Sequence, residues 1–155
     1  MENCIVRFVK EIDYTAVEDI MKQVHAMHVA WRPDLYTMPH TVLPQAMFEE
    51  ALSEKRLLVA EKDGAVIGLL LFFEKVYEGN GKVPGKMLWI DAIAVEEKYR
   101  SQGVGRKLLD ALRKIARERG IERIGLSVTA QNGHARKVYE EFGFTERTVS
   151  MELMV

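Results

Sequence analysis

Residues 90–107 (IDAIAVEEKYRSQGVGRK) constrain this chain more than any other stretch. A run of β-branched and small apolar residues ends at Val95, and a short charged turn follows. Arg100-x-x-Gly103-x-Gly105 then opens a helical pattern with Val104, Leu108, Leu112 and Ile115 on one face and Arg106, Asp110, Arg113 and Lys114 mostly on the other. A buried strand running straight into a one-sided helix implies a sheet with that helix packed across it. Glycines let a backbone approach a ligand and leave consecutive N–H groups free. A helix amino terminus adds orphan donors and the positive end of its dipole, so the turn suits an anion, most naturally a pyrophosphate. Arg100, Arg106 and Lys107 add positive charge beside it. On these residues alone, a tight strand-to-helix turn with no ligand explains the glycines equally well.

The rest of the chain alternates in the same manner. Residues 4–9 read as a strand, and Asp13 is placed to cap a helix carrying Val17, Ile20, Met21 and Val24 through about residue 30. From Trp31 to Pro44, with Pro33 and Pro39 between them, periodicity fails and a loop is expected, before a second helix ending near Lys55. Strands at 57–62 and 65–76 flank Asp63-Gly64, a dipeptide suited to a tight hairpin turn, and a third strand of this meander covers 87–95. After the helix at 103–119 come a strand at 124–128, a helix at 132–142 and a last strand at 145–154. The expectation is α/β in class: a single domain over residues 1–155, with a mixed sheet of six to seven strands and about four helices on both faces.

Composition narrows the function. With 22 basic and 23 acidic side chains, the net charge is −1 and no global field draws the chain to nucleic acid or an anionic membrane. The basic residues Arg113, Lys114, Arg117, Arg119 and Arg123 are interrupted by Glu118 and Glu122, the pattern of a solvated helix face. Cys4 is the only cysteine, so no disulfide closes within the chain and no four-cysteine zinc site exists. His25 and His28 share a helical face, with Asp34 and His40 nearby, yet no second paired motif completes a metal site. Lining a pocket is the better reading, and no metal is expected. The longest apolar run, 64–73, is half of the roughly 20 residues a spanning helix needs. Arg7, Lys10 and Glu11 interrupt any signal-peptide core, so a cytoplasmic protein is expected.

Other phosphate loops and nucleophile motifs fit poorly. The dinucleotide fingerprint requires a third glycine where Leu108 stands. The Gly-Lys pairs at 81–82 and 85–86 are followed by Val83 and Met87 rather than by the Ser or Thr of a Walker loop. Ser101 and His134 lack the Gly-x-Ser-x-Gly setting of a serine hydrolase.

Arg100-x-x-Gly103-x-Gly105 resembles the acetyl-CoA signature of the GCN5-related N-acetyltransferases. Downstream, Leu126-x-Val128-x-x-x-Asn132-x-x-Ala135-x-x-Val138-Tyr139-x-x-x-Gly143-Phe144 is similar to that family's second signature. Together the two motifs span 87–144, and their separation matches as well as their content.

The resemblance implies acetyl-CoA as co-substrate, lying between a splayed pair of strands that end at Val95 and Val128. It implies backbone contacts to the pantetheine arm and thioester at Ile93, Ala94 and Val95. Contacts to the pyrophosphate are implied at Arg100, Ser101, Gln102, Gly103, Val104, Gly105 and Arg106, with Asn132 also at the cofactor. Tyr139 falls in the slot of the acid that protonates the departing thiolate, although a tyrosine packed on a helix face fits that position too. Asp91 falls where relatives carry a glutamate base. It is one methylene shorter, so a bridging water is needed, and a structural carboxylate is an equal reading. A base matters because an alkyl amine of pKa near 10.4 is neutral in only about 1 in 2,500 molecules at pH 7.

The implied activity is acetyl transfer to a primary amine of a small molecule or a protein. A silent acyl-CoA-binding domain and a nucleotide-binding regulatory domain are the rivals. The first helix and the loop after it are expected to wall the acceptor pocket, with His25 and His28 lining it and Asp34 and Tyr36 as amine contacts. Either of the last two would serve equally as a loop anchor. No nucleic-acid or membrane partner is expected. Residues 148–155 would also suit strand pairing across a homodimer.

Overall fold

The computed structural model describes residues 2–155. Five strands form one sheet in the order β1-β2-β3-β4-β5: β1 (Cys4–Phe8), β2 (Leu57–Lys62), β3 (Ala65–Tyr77), β4 (Gly85–Val95) and β5 (Ile124–Gly125). The first four are antiparallel neighbours, and β4 and β5 are parallel. Asp63 and Gly64 both take left-handed backbone angles (φ 50° and 81°), as the hairpin between β2 and β3 requires.

Four helices cover the two faces: α1 (Tyr14–Trp31), α2 (Gln45–Ser53), α3 (Val104–Glu118) and α4 (Gly133–Phe142). The period of two along the strands divides the apolar residues between two cores. Leu58, Ala60, Leu70, Phe72, Leu88 and Ile90 pack with Leu108, Leu109 and Leu112 of α3. Leu57, Val59, Leu69 and Leu71 pack with Val17 and Ile20 of α1 and Phe48 and Ala51 of α2.

A bulge interrupts this alternation. Leu71 faces Ala92 while Phe72 faces Ile90, so Asp91 has no partner on β3. The extra residue shifts the parity of β4. Before it, Leu88 and Ile90 face the α3 core; beyond it, Ile93 and Val95 face that core while Ala92 and Ala94 turn to the α1 core.

Two features hold the loop of residues 32–44 against α1. The buried Glu18 carboxylate accepts the N–H groups of Val42 (2.6 Å) and Leu43 (2.7 Å), and the Tyr14 hydroxyl donates to the Leu43 carbonyl (2.8 Å). Asp13 precedes α1 as expected, but its carboxylate makes no capping bond to α1. It instead accepts two hydrogen bonds from the Arg7 guanidinium (2.8 and 3.1 Å) and one from the Lys10 N–H (2.7 Å). Burial pushes the Asp13 carboxyl up, and these donors outweigh it, so the group sits below the ordinary carboxylate range.

The sheet has fewer strands than the six to seven expected. β5 stops at Gly125, and residues 145–155 join no strand and lie exposed. Alternating apolar residues make a chain extended but supply no edge to pair with, and pairing is what makes a strand. No described helix is long and apolar enough to cross a membrane.

Candidate active site

The site begins where β4 and β5 part. They pair only at Leu88 with Ile124 and at Trp89 with Gly125. Past that point β4 keeps β3 as its sole neighbour. The Glu96 N–H bonds the Ile67 carbonyl on β3 (2.9 Å). Because successive N–H groups point to opposite edges of a strand, those of Val95 and Ile93 point away from β3, into the gap. A cleft of about 260 Å³ opens there. Ile90, Asp91, Ala92, Ile93 and Ala94 line one side, Ser127, Val128, Thr129, Asn132 and Tyr139 another, and Met21, Val24, His25, His28 and Val42 a third.

From the wall of this gap, β4 continues through a short loop into α3. Ser101 and Gly103 both adopt left-handed angles (φ 61° and 84°), turning the chain sharply into the helix. Gly103 is the cap residue, and no side chain caps α3. Among the described residues, the N–H groups of Gln102 to Arg106 make no hydrogen bond. A Cβ built on Gly103 or Gly105 would meet nothing within 4 Å, so the loop is open on the side those two glycines face.

Arg100 is braced by a bond from its Nε to the Val95 carbonyl (3.0 Å), and Gln102 by one from Nε2 to the Lys98 carbonyl (3.0 Å). Arg106 lies 5.9 Å over the Phe142 ring. Gly68 lets α3 come this close to the sheet, since a Cβ there would sit 3.0 Å from Val104 Cγ1 and 3.2 Å from the Ala94 carbonyl. Free donors, an open approach and two arginines fit a pyrophosphate.

Tyr139 reaches the cleft from α4 and packs edge-on against Phe144, with centroids 5.8 Å apart. Burial pushes its phenol up to about 12, which keeps the hydroxyl protonated. Asn132 also faces the cleft, while its Oδ1 accepts the Ala135 N–H (3.2 Å) and so caps α4. The bulge leaves Asp91 exposed on the cleft wall without a hydrogen bond among the described residues.

His25 and His28 line the cleft as expected. His25 Nε2 contacts the Thr37 carbonyl at 2.9 Å. His28 Nδ1 is buried without a partner, and burial, then the neighbouring His25, lowers its pKa from the ordinary histidine value. Asp34 and Tyr36 do not reach the cleft wall. Arg32 clasps Asp34 through both carboxylate oxygens (2.9 and 2.7 Å) and also pairs with Glu152. The Tyr36 ring stands behind the histidines, 6.1 Å from His25 and 5.8 Å from His28. The contributions of Val42, Ser127 and Thr129, and the clamp made by Glu18, went unread in the sequence. Only the failing periodicity after Trp31 marks that region as a place for binding residues.

Comparison with known proteins shows the family and the fold of this chain. A model of the acetyltransferase (GNAT) family matches residues 21–144, and the chain belongs to that family. Over 87 residues it is 33% identical to the spermine/spermidine N(1)-acetyltransferase of Bacillus subtilis (strain 168), covering 53% of this chain and 54% of that one. Over 103 residues it is 34% identical to the 5-NmdU N-acetyltransferase of Pseudomonas phage PaMx11, covering 65% and 66%. The [ribosomal protein bS18]-alanine N-acetyltransferase of Escherichia coli (strain K12) is 42% identical over 57 residues, covering 37% and 38%. The matched segments thus span about half the length of these curated relatives.

Among solved structures, a mutant of the BH1408 protein from Bacillus halodurans has the same fold at a TM-score of 0.89. It is 23% identical, with 97% of this chain and 99% of that one covered. AAC(6')-Iy, in complex with the bisubstrate analogue CoA-S-monomethyl-acetylneamine, superposes at 0.72 and 19% identity, covering 98% and 99%.

Proposed function

We propose that the chain transfers an acetyl group from acetyl-CoA to a primary amine of a small molecule or protein, by direct attack within a ternary complex. One observation supports this reading: the strand that leads into the uncapped amino terminus of α3, β4, also lines the cleft that Asp91 and Tyr139 share. When bound, acetyl-CoA supplies an activated thioester carbonyl.

The N–H groups of residues 102–106, with Arg100 and Arg106, would hold the pyrophosphate. The outward N–H groups of Ile93 and Val95, with Ala94 between them, suit the pantetheine arm and the carbonyl oxygen, where negative charge develops. Asp91 takes, through a bridging water, the proton that the acceptor's ammonium loses before the neutral amine attacks. Tyr139 presents its hydroxyl hydrogen to the departing sulfur. Met21, Val24, His25, His28 and Val42 form the wall against which the body of the acceptor lies, with Asp34 and Tyr36 supporting that wall from outside.

The test is release of free thiol from acetyl-CoA across a panel of amines, with mass spectrometry of the product. Amine-dependent release and an acetylated amine are expected. Stabilisation by acetyl-CoA with no turnover on any amine would instead make the chain a silent acyl-CoA-binding domain.

A further inference from the structure

The two nitrogens of His28 stand in unlike surroundings. The residue lines the cleft from α1, with its ring edge-on to Trp31 (centroids 5.4 Å apart) and tilted against Tyr36 (5.8 Å). Nδ1 is buried without a hydrogen-bond partner, whereas Nε2, also without a bond among the described residues, is not enclosed. A ring that lines the cleft with Nδ1 hidden turns its Nε2 edge to the opening.

That placement decides where the proton sits. A proton on Nδ1 would be a buried donor with no acceptor, which folded interiors rarely tolerate. The ring therefore keeps Nδ1 as a lone pair and carries its one proton on Nε2. The titratable groups around it are His25 and Tyr36 beside the ring and Asp91 and Tyr139 on the other walls. His25 is engaged at Nε2 by the Thr37 carbonyl (2.9 Å).

The rest of this wall is apolar, made by Met21, Val24 and Val42, and Asp91 is the one carboxylate among the described residues that line the cleft. One carboxylate suits one ammonium. The further ammonium groups of a polyamine would lie against apolar side chains and a neutral N–H, with nothing to pair them. The Nε2–H needs an acceptor, and a chain of methylenes and ammonium groups offers none.

We propose that His28 is an uncharged hydrogen-bond donor that selects the acceptor, and that the acceptor is a primary amine with a single ammonium, an apolar body and an uncharged carbonyl, ether or hydroxyl oxygen. An anionic oxygen is disfavoured by Asp91. His28 does not serve as the base, because Nε2 already holds its proton and Nδ1 is sealed from the amine. The substrate class rests on the acetyl-transfer reading; the state of the ring does not.

Long-range proton–nitrogen correlation spectra of the full chain read the ring directly. At pH 7 and without ligand, His28 is expected to give the nitrogen shifts of the neutral Nε2–H tautomer. A doubly protonated ring, or the Nδ1–H tautomer, overturns the proposal. Thiol release reads the substrate class, with 2-methoxyethylamine and 3-methoxypropylamine set against their alkyl isosteres butylamine and pentylamine, and with spermidine. The better ether should exceed its isostere in kcat/KM by at least about 10-fold, with spermidine below both. His28→Leu should bring that ratio within about threefold, while His28→Gln, which keeps an N–H near the same place, should retain more of it. Should the Leu variant fail to fold, His28→Phe keeps a ring against Trp31 and Tyr36 and is expected to lower the ratio likewise. Spermidine as the preferred amine, or a ratio that neither variant moves, overturns the proposal. Acetylation of no amine refutes the acetyl-transfer reading and the substrate class with it, and the spectrum still decides the ring.

Discussion

Replacing Tyr139 by Phe removes one oxygen and leaves the ring against Phe144, so its effect isolates the hydroxyl. That hydroxyl has a phenol pKa pushed up by burial to about 12. Handing its proton to a thiolate whose acid has a pKa near 8.5 is uphill by about 3.5 pKa units, or about 5 kcal/mol. On the proposed role, complete transfer is thus disfavoured early in the reaction, and the group would act as a hydrogen-bond donor to the sulfur as charge builds. General acids contribute about 10²–10⁴-fold, so the fall in kcat for Tyr139→Phe belongs near the lower end, about 100-fold. The KM for acetyl-CoA should be unchanged, because the lost contact belongs to the transition state. Thiol release at saturating amine measures this.

The same burial has a sign in stability. The folded pKa lies above the unfolded value near 10, so the native state keeps its full stability below pH 10. It loses roughly 2–3 kcal/mol as the pH climbs towards 12. Thermal melts of the Phe variant between pH 9 and 11 should lack the part of that loss due to Tyr139. A variant with kcat within about threefold of the parent, but with a lowered melting temperature at pH 7, would make Tyr139 a packing residue and refute the argument.

Gly105→Glu should abolish the rise in melting temperature produced by CoA while leaving the unliganded melt nearly unchanged, because a side chain there enters open space and brings negative charge to the anion's position. Asp91→Asn should lower turnover at neutral pH or move the acidic limb of the rate profile, with the fold intact because the carboxylate is exposed and supports no other group; an unaltered profile would leave deprotonation to water. Arg7→Ala should destabilise the chain by roughly 1–3 kcal/mol, since it leaves the Asp13 carboxylate buried with only the Lys10 N–H. Asp13 lies below the ordinary range in the folded state, so its stabilisation is present above about pH 4 and is lost as pH falls through its own lower value. Urea melts from pH 7 down to 3 should accordingly show acid unfolding at a higher pH in the variant.

Much of the site was legible because its parts are local. A strand end, two glycines and a helix start are contiguous, and contiguity is what a sequence displays directly. The parity of β4 was not legible. Ile90 and Ala94, four residues apart, belong on one face of a regular strand, and only the bulge at Asp91 sends them to opposite cores. Asp34 illustrates another limit. Its chemistry suited an amine, but a guanidinium two residues earlier in the same loop took it first. The expected strand at 145–154 shows that alternation reports which side of a segment is greasy and says nothing about who lies beside it.

The separate cores leave this domain with something like two independent trades. The donors proposed for the CoA pyrophosphate ride on α3, seated on one apolar layer. Met21, Val24, His25 and His28, which meet the acceptor side of the cleft, ride on α1 over the other. On the proposed reading, substitutions that resize the α1 side of the cleft should fall mainly on α1, α2 and their own layer, with the sheet between them and α3. If the proposed roles hold, the acceptor could change while the acetyl donor stays the same.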